Sequence, residues 1–234
     1  MTAVDGAAPG MGASTGAPVP SPQPQPALRL QGEIVDVGCR DAVIDTIICD
    51  VGNVVILFSP DRSAEIERRY GIPAGALLHA VLKTPPARLA AVGQLDYDEW
   101  VRQVAALVGE GAVADWLTYH GELNQPVVDI LAAAKRSGIR MLLLSNATVR
   151  LWDDLDHHRI RGLADEVSCS ADIGVAKPDP RAYEFVITTA SVAAGRALYV
   201  DDTRRGSRPA AAWDCVATCT APRTVYGASW RPWA

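Results

Sequence analysis

The sequence predicts an α/β fold in which a Rossmann-like parallel sheet forms the core and a helical cap is inserted after the first strand. Two patterns support this prediction. Short apolar runs rich in β-branched residues alternate with amphipathic segments of helical period, as in a parallel sheet that is covered on both faces. The stretch from residue 60 to 121 interrupts this alternation, because it contains helical patterns and no convincing strand.

Five short segments are expected to form the strands. Branched or bulky apolar side chains dominate them, which is typical of buried strands in a parallel sheet. In chain order the segments are 43–49 (VIDTIIC), 139–144 (IRMLLL), 166–169 (EVSC, the weakest pattern), 197–200 (ALYV) and 215–219 (CVATC).

Helices are expected between these strands because apolar faces of helical period have recognisable ends there. Pro126 takes the position of a first-turn proline, and Gly138 follows the basic end of the same helix. Asp179 is expected to cap a helix that begins at Pro180.

The inserted stretch is interpreted as four further helices, at 61–70, 74–83, 96–108 and 111–119. The third is the clearest, because Asp96 and Glu99 have the spacing of a capping box. We therefore divide the chain into three parts: a disordered Pro/Gly/Ala-rich tail (1–30), an α/β core (31–59 and 122–234) and a helical cap (60–121).

Composition excludes several other classes of protein. With 234 residues, of which 49% are apolar and 21% charged, the chain is typical of a globular protein. The net charge of −5 and the lack of a basic run argue against nucleic acid or a membrane surface as a partner. No apolar run approaches the roughly 20 residues of a membrane span, and no signal peptide is evident. The five cysteines form no CxxC pair, which predicts reduced thiols in a cytoplasmic protein.

Polar side chains follow the ends of three expected strands. These residues are Asp50, then Ser145 and Asn146, then Asp201 and Asp202. Because the carboxyl ends of parallel strands meet at one edge of a sheet, we expect the side chains to share one crevice. Carboxylate oxygens are the ligands that Mg²⁺ prefers, together with substrate phosphates.

Lys177 adds a positive charge to this set. It is one of three lysines among 22 basic residues, and it lies on an X-Pro turn just before the helix capped by Asp179. Beside Asp50, Gly52 allows the backbone to turn sharply toward a ligand. A lysine can neutralise a phosphoryl group, and an aspartate held near a metal and a lysine can act as a nucleophile.

Taken in order, these motifs resemble those of the haloacid dehalogenase superfamily of phosphohydrolases. The matching residues are the strand-end Asp50, Ser145, Lys177 in KPDP, and the pair Asp201 and Asp202. The resemblance covers residues 43–220, and the inserted helices resemble the α-helical C1 cap of one branch. The DVGNVV pattern is similar to that of a branch that includes sugar-phosphate phosphatases such as α-glucose-1-phosphate phosphatase. The resemblance implies a Mg²⁺-dependent phosphatase that hydrolyses a small phosphorylated metabolite through an aspartyl-phosphate, with a sugar phosphate as one candidate.

The resemblance also implies a role for each carboxylate. Asp50 would be the nucleophile and a Mg²⁺ ligand, and the backbone carbonyl of Gly52 would be a second ligand. Asp202 would bind the ion directly, with Asp201 as a close or water-mediated partner.

Three other residues would handle the phosphoryl group. Ser145 and Asn146 would hold its oxygens, and Lys177 would bridge it to Asp50. Ser145 does not lie in a GxSxG motif, so a serine hydrolase is not expected.

The chain departs from the superfamily pattern at two positions. Many relatives carry a second aspartate where this chain has Gly52, and loss of such a general acid typically lowers the rate about 10²–10⁴-fold. An asparagine that relatives often place after the aspartate pair is Gly206 here, within an arginine-rich run. His79 or His120 could supply the missing proton if the cap places one of them over the crevice.

Two other functions stay open at this point. A 2-haloacid dehalogenase would use the same aspartate without a metal, although the paired acids argue for a metal. A catalytically impaired scaffold that binds a ligand or a protein would explain Gly52 and the arginines after Asp202. The acids and histidines at 153–158 have no standard metal-site spacing and are interpreted as a solvated helix face.

Overall fold

The computed structural model describes residues 44–202 and a short strand at 216–217. Several predictions fall outside these ranges: the tail at 1–30, the cysteines Cys39, Cys215 and Cys219, and Gly206 with the arginines around it. Within the described ranges, no helix is both long enough and apolar enough to cross a membrane.

The described part of the chain alternates between strands and helices. The strands, in chain order, are β1 (Thr46–Cys49), β2 (Ile56–Leu57), β3 (Glu122–Leu123), β4 (Arg140–Ser145), β5 (Glu166–Cys169), β6 (Ala197–Val200) and β7 (Val216–Ala217). The helices are α1 (Pro60–Tyr70), α2 (Ala76–Leu82), α3 (Pro85–Ala90), α4 (Tyr97–Val108), α5 (Glu110–Leu117), α6 (Gln125–Arg136), α7 (Leu151–His157), α8 (Ser170–Ile173) and α9 (Pro180–Thr189).

Five of the strands form one sheet in the order β5-β4-β1-β6-β7, and all of its neighbouring strands are parallel. The predicted α/β class with a parallel sheet core is therefore confirmed. Each expected strand segment contains the observed strand or overlaps most of it. The sheet places β1 at its centre, between β4 and β6.

Alternate residues of the strands face two different layers of helices. On one face, Met141 and Leu143 pack with residues of α6 and α7. On the other face, Leu142 and Leu144 pack with residues of α9. These four side chains are fully buried, and each contributes about 1.5–3 kcal/mol relative to an exposed side chain. Because both faces are covered, function collects at the carboxyl edge of the sheet.

The two expected helix starts in this part of the chain have the predicted chemistry. Pro126 lies in the first turn of α6. Asp179 caps α9, because its side chain accepts a hydrogen bond from the amide of Arg181 at 3.0 Å. The cap at Asp179 begins α9 directly after Lys177, so the same turn positions that lysine.

Five helices, α1 to α5, are inserted between β2 and β3, which pair with each other in antiparallel fashion. They bury an apolar cluster of their own that includes Ile66, Leu77 and Trp100. The sequence did not predict α3, which is short and begins with two prolines after the capping Thr84. In the sequence alone, a short segment that begins with two prolines is typical of a turn. The division of the chain into core and cap domains stays a prediction.

The insertion contacts the core at a second place besides the β2–β3 pair. The buried Ser170, at the start of α8, donates its hydroxyl to the carbonyl of Ala91 in the insertion at 2.5 Å. The same oxygen accepts a hydrogen bond from the amide of Ala147 at 3.0 Å. Gly93 lies so close that a Cβ there would be 2.2 Å from the carbonyl oxygen of Ala171. The inserted helices are therefore held against the loop that follows β4.

Candidate active site

The register of the central strands places two aspartates side by side. Cys49 of β1 is the partner of Val200 of β6, and each strand ends immediately before an aspartate. The amide of Asp50 donates to the carbonyl of Val200 at 2.8 Å, which continues the ladder one step beyond β1. Asp50 and Asp201 therefore leave the sheet at the same level and on adjacent strands.

Lys177 lies between these two carboxylates. Its Nζ atom is 2.9 Å from Oδ1 of Asp50 and 2.9 Å from Oδ2 of Asp201. The three side chains are 5%, 13% and 2% exposed respectively, so water screens the charges only weakly. An ammonium group held between two buried carboxylates is a structured charge centre and not a solvated surface lysine.

Asn146 holds the backbone of Lys177 through both polar atoms of its side chain. Its Nδ2 donates to the carbonyl of Lys177 at 2.7 Å, and its Oδ1 accepts from the amide of Lys177 at 2.8 Å. The side chain of Asn146 is thus engaged with the turn, which leaves its backbone amide as the group for the predicted contact with a phosphoryl group. Ser145, the last residue of β4, is buried at the same edge of the sheet.

The backbone after Asp50 folds into a tight turn. The amide of Val51 donates to Oδ1 of Asp50 at 2.7 Å, and Asn53 adopts a left-handed conformation with φ 57°. The amide of Asn53 donates to the carbonyl of Ile56 at 2.7 Å. Gly52 lies within this turn, and a Cβ placed on it would meet no atom within 4 Å. The turn therefore leaves open space next to Asp50.

The charges of the crevice do not balance among the described residues. Burial raises the pKa of Asp50, and the neighbouring Lys177 ammonium offsets only part of that effect. Burial, with the charges of Asp50 and Asp201, raises the pKa of Asp202 to about 7. Burial alone would lower the pKa of Lys177, but the two carboxylates outweigh it and raise the pKa above its usual value. Three carboxylates thus face one ammonium group.

The three carboxylates have the arrangement of a cation site. One oxygen from each of Asp50, Asp201 and Asp202 lies within 4.8 Å of the others. Among residues 44–202, it is the one group of three or more acids, histidines or cysteines whose spacing fits a metal ion. Hard oxygen ligands whose ionisation is opposed by burial and by like charge fit Mg²⁺, because the ion would neutralise them.

A comparison with known families agrees with this arrangement. A profile of the haloacid dehalogenase-like (HAD-like) hydrolase family matches residues 44–213. The chain belongs to this family. The predicted superfamily resemblance is therefore confirmed, and the protein is a hydrolase.

Curated and solved relatives of this hydrolase are distant in sequence. It is 24% identical over 172 residues to the D-ribitol-5-phosphate phosphatase of Bacteroides thetaiotaomicron, which covers 68% of this chain and 84% of that protein. A HAD family enzyme of the same organism, solved with magnesium and inorganic phosphate, has a TM-score of 0.64 at 17% identity and covers 74% of this chain and 91% of that one. A predicted HAD-like family hydrolase of Porphyromonas gingivalis has a TM-score of 0.64 at 20% identity, with 76% and 91% covered. The two structures show that the fold is shared.

Two features of this HAD-like hydrolase were not predicted. Tyr199 was interpreted only as part of a strand, but its hydroxyl donates to Oδ2 of Asp201 at 2.7 Å. The spacing of two residues on a strand is the signal that could have identified it, because such residues share a face. The second feature is Asn146, whose amide group faces the Lys177 backbone; no sequence pattern indicates that partner.

The acids and histidines at 153–158 are only partly the solvated helix face that was expected. Asp154 is buried, with Oδ1 lying 2.8 Å from Nδ1 of His120 at the end of the insertion. Burial raises the pKa of Asp154, and Arg150 opposes that shift. The ring of His120 stacks on His157 with centroids 4.2 Å apart. The interpretation failed for Asp154 because α7 packs against the end of the insertion, which a helical pattern alone does not reveal.

Proposed function

We propose that this HAD-like hydrolase is a Mg²⁺-dependent phosphatase that hydrolyses a small phosphorylated metabolite, with Asp50 as its nucleophile. The observation that carries the proposal is the Lys177 ammonium, held 2.9 Å from the carboxylates of both Asp50 and Asp201. A sugar phosphate is the substrate class we propose first. The similarity to a D-ribitol-5-phosphate phosphatase supports that choice.

The carboxylate cluster is the proposed magnesium site. Asp50, Asp202 and the backbone carbonyl of Gly52 would hold the ion, with Asp201 as a close or water-mediated partner. When bound, Mg²⁺ would supply charge neutralisation for the phosphoryl oxygens. The spacing of the three carboxylates and the raised pKa values of Asp50 and Asp202 support this assignment.

The proposed reaction has two displacements at phosphorus. A carboxylate oxygen of Asp50 forms a bond to phosphorus while the bond from phosphorus to the ester oxygen breaks, and the departing oxygen takes up a proton. Water then attacks the aspartyl-phosphate, the bond from phosphorus to Asp50 breaks, and inorganic phosphate leaves. The sum is ester plus water to alcohol plus phosphate.

The residues around Asp50 would orient and neutralise the reacting group. The hydrogen bonds from Val51 and Lys177 both fall on Oδ1 of Asp50, so the carboxylate is held in one orientation. Lys177 would neutralise the phosphoryl oxygens, while Ser145 and the backbone amide of Asn146 would hold them. Positioning and charge neutralisation of this kind provide most of the catalysis in phosphoryl transfer.

With Gly52 beside the nucleophile, the rate of hydrolysis should depend on the leaving group of the ester. Gly52 has no side chain that could protonate the departing oxygen, so the proton must come from another source. An aryl phosphate, whose leaving group needs no protonation, should therefore be hydrolysed faster than an alkyl phosphate.

A phosphate-ester panel with the purified 234-residue chain tests the proposal. Turnover should require Mg²⁺, stop with EDTA, and disappear in Asp50→Asn. Asp98→Asn, an isosteric change at an exposed position of α4, should retain it. Metal-independent turnover or full activity in Asp50→Asn would overturn the mechanism. Chloride release from a 2-haloacid without Mg²⁺ would identify a dehalogenase, and binding without turnover of any ester would identify a scaffold.

The cytoplasm is the location we propose. Cys49 and Cys169 carry buried thiols in the described structure. Burial raises the pKa of Cys169 to about 11, so little reactive thiolate exists at neutral pH. Unreactive buried thiols are typical of proteins from reducing compartments.

A further inference from the structure

Tyr199 contacts the proposed active site from inside the protein. Its side chain is fully buried, and its hydroxyl donates to Oδ2 of Asp201 at 2.7 Å. The same oxygen lies 2.9 Å from Nζ of Lys177. Oδ2 of Asp201 therefore receives a neutral donor from the core and a charged donor from the crevice.

The position of Tyr199 follows from the sheet. Tyr199 and Asp201 are two residues apart, so their side chains project from the same face. Ile48 of β1 is the register partner of Tyr199. On the helix side, the ring of Tyr183 from α9 meets the ring of Tyr199 edge to face, with centroids 5.3 Å apart. Packing on both sides fixes where the hydroxyl of Tyr199 points.

The hydroxyl of Tyr199 acts only as a donor toward Asp201. A phenol carries its proton at neutral pH, and an ionised carboxylate can only accept, so the hydrogen bond between them runs from Tyr199 to Asp201. The ring makes a second contact, since Nζ of Lys177 lies 5.8 Å from its centroid. Tyr199 thus touches both partners of the ion pair between Lys177 and Asp201.

We propose that Tyr199 is a positioning residue that fixes the carboxylate of Asp201 and, through it, holds the Lys177 ammonium beside Asp50. This inference rests on the proposed phosphatase function, in which Lys177 binds the phosphoryl group. A carboxylate that loses the donor facing it from the core rotates more freely, and a lysine anchored to it then departs from its productive position. Loss of a hydrogen bond that orients a binding side chain from outside the site typically lowers affinity or activity about 10–100-fold.

The three lysines of the chain allow a direct test. In protein labelled with ¹⁵N-lysine, a buried and hydrogen-bonded ammonium exchanges slowly with water and gives a ¹H–¹⁵N signal. Lys177 is buried, whereas Lys83 and Lys135 are more exposed, so the slowly exchanging signal belongs to Lys177. In metal-free Tyr199→Phe we expect this signal to broaden or disappear. The Kd of inorganic phosphate, measured by calorimetry with saturating Mg²⁺, should rise about 10–100-fold.

Tyr119→Phe is the matched control. It removes a half-buried phenol hydroxyl that accepts a hydrogen bond from the amide of Ser59 at 3.1 Å, and it leaves the hydrogen bond from Tyr199 to Asp201 in place. The control should keep the Lys177 signal and a phosphate Kd within a few-fold of wild type. An unchanged Lys177 signal and phosphate Kd in Tyr199→Phe would overturn the inference, as would an equal loss in both variants.

Two further outcomes distinguish a failure of the proposed function from a failure of this inference. If wild-type protein shows the Lys177 signal but neither binds phosphate nor hydrolyses any ester, the proposed function fails, and the ammonium signal alone still decides the role of Tyr199. If Tyr199→Phe does not fold, exchange of the Tyr199 hydroxyl proton is measured in wild-type protein. Protection from exchange supports the hydrogen bond to Asp201, and rapid exchange in the folded protein overturns the inference.

Discussion

Lys177→Met should strongly destabilise the metal-free protein, because it removes the ammonium group between Asp50 and Asp201 and leaves both carboxylates buried. Nζ of Lys177 is 2.9 Å from an oxygen of each, and the two acidic side chains are 13% and 2% exposed. Removing one partner of a buried ion pair costs about 3–5 kcal/mol. For a chain of this size, that corresponds to a fall in Tm of roughly 6–20 °C.

Lys135→Met is the matched control for this measurement. Lys135 also forms an ion pair, with Nζ 2.8 Å from Asp165, but those side chains are 31% and 38% exposed. Water screens such a pair, so its loss should cost about 0–1 kcal/mol. Urea unfolding and thermal melts of both variants in EDTA provide the comparison. Equal losses in the two variants would refute the reasoning, because burial would then make no difference.

The effect of Lys177→Met should depend on pH in a defined direction. Burial already raises the pKa of Asp50, and Lys177 opposes that shift, so without Lys177 the pKa should rise further. The folded variant then binds more protons than the unfolded chain, and its stability falls as pH increases. The loss relative to wild type should therefore be larger at pH 8 than at pH 5. Added Mg²⁺ should restore part of the stability, because it binds the folded carboxylate cluster.

Four further predictions address separate parts of the structure. Asn146→Ala removes two hydrogen bonds from the Lys177 backbone. We expect the stability to fall by about 1–3 kcal/mol and kcat to decrease. Unchanged kinetics would contradict this role of Asn146. Glu67→Ala leaves two amides at the start of α2 without their carboxylate acceptor; urea unfolding should show a loss of about 3 kcal/mol. Gly52→Asp should fold, since a Cβ there meets no atom within 4 Å, and should raise kcat for alkyl phosphates more than for aryl phosphates. Cys169, whose pKa burial raises to about 11, should react with a thiol reagent at pH 8 only after unfolding, as peptide mapping would show.

The sheet and the edge that carries the site were predictable because their signals are local. A run of branched apolar residues such as 139–144 indicates a buried strand whatever lies beside it. The rule that parallel strands share one carboxyl edge then brings Asp50 and Asp201 together without any knowledge of packing. Helix starts such as Asp179 were equally accessible, because a capping side chain bonds to an amide within its own turn.

Other features depend on contacts between segments that are far apart in the chain. Ser170 bonds to Ala91, 79 residues away, and Asn146 bonds to Lys177, 31 residues away. Asp154 is buried because the end of the insertion covers it. A pattern of residue types cannot choose among such partners, since the choice rests on distances that packing sets to within tenths of an ångström.

By itself, the sequence determined that this protein has a parallel sheet, that helices are inserted after its first strand, and that acids and a lysine meet at one edge. These outcomes follow from hydrophobic period, capping chemistry and chain direction. Only the tertiary structure decided that Asn146 holds the Lys177 turn and that the hydroxyl of Tyr199 reaches Asp201 from the core. The physical reason is that a hydrogen bond requires two groups in a fixed geometry. For Tyr199, the packing of β6 against α9 supplies that geometry.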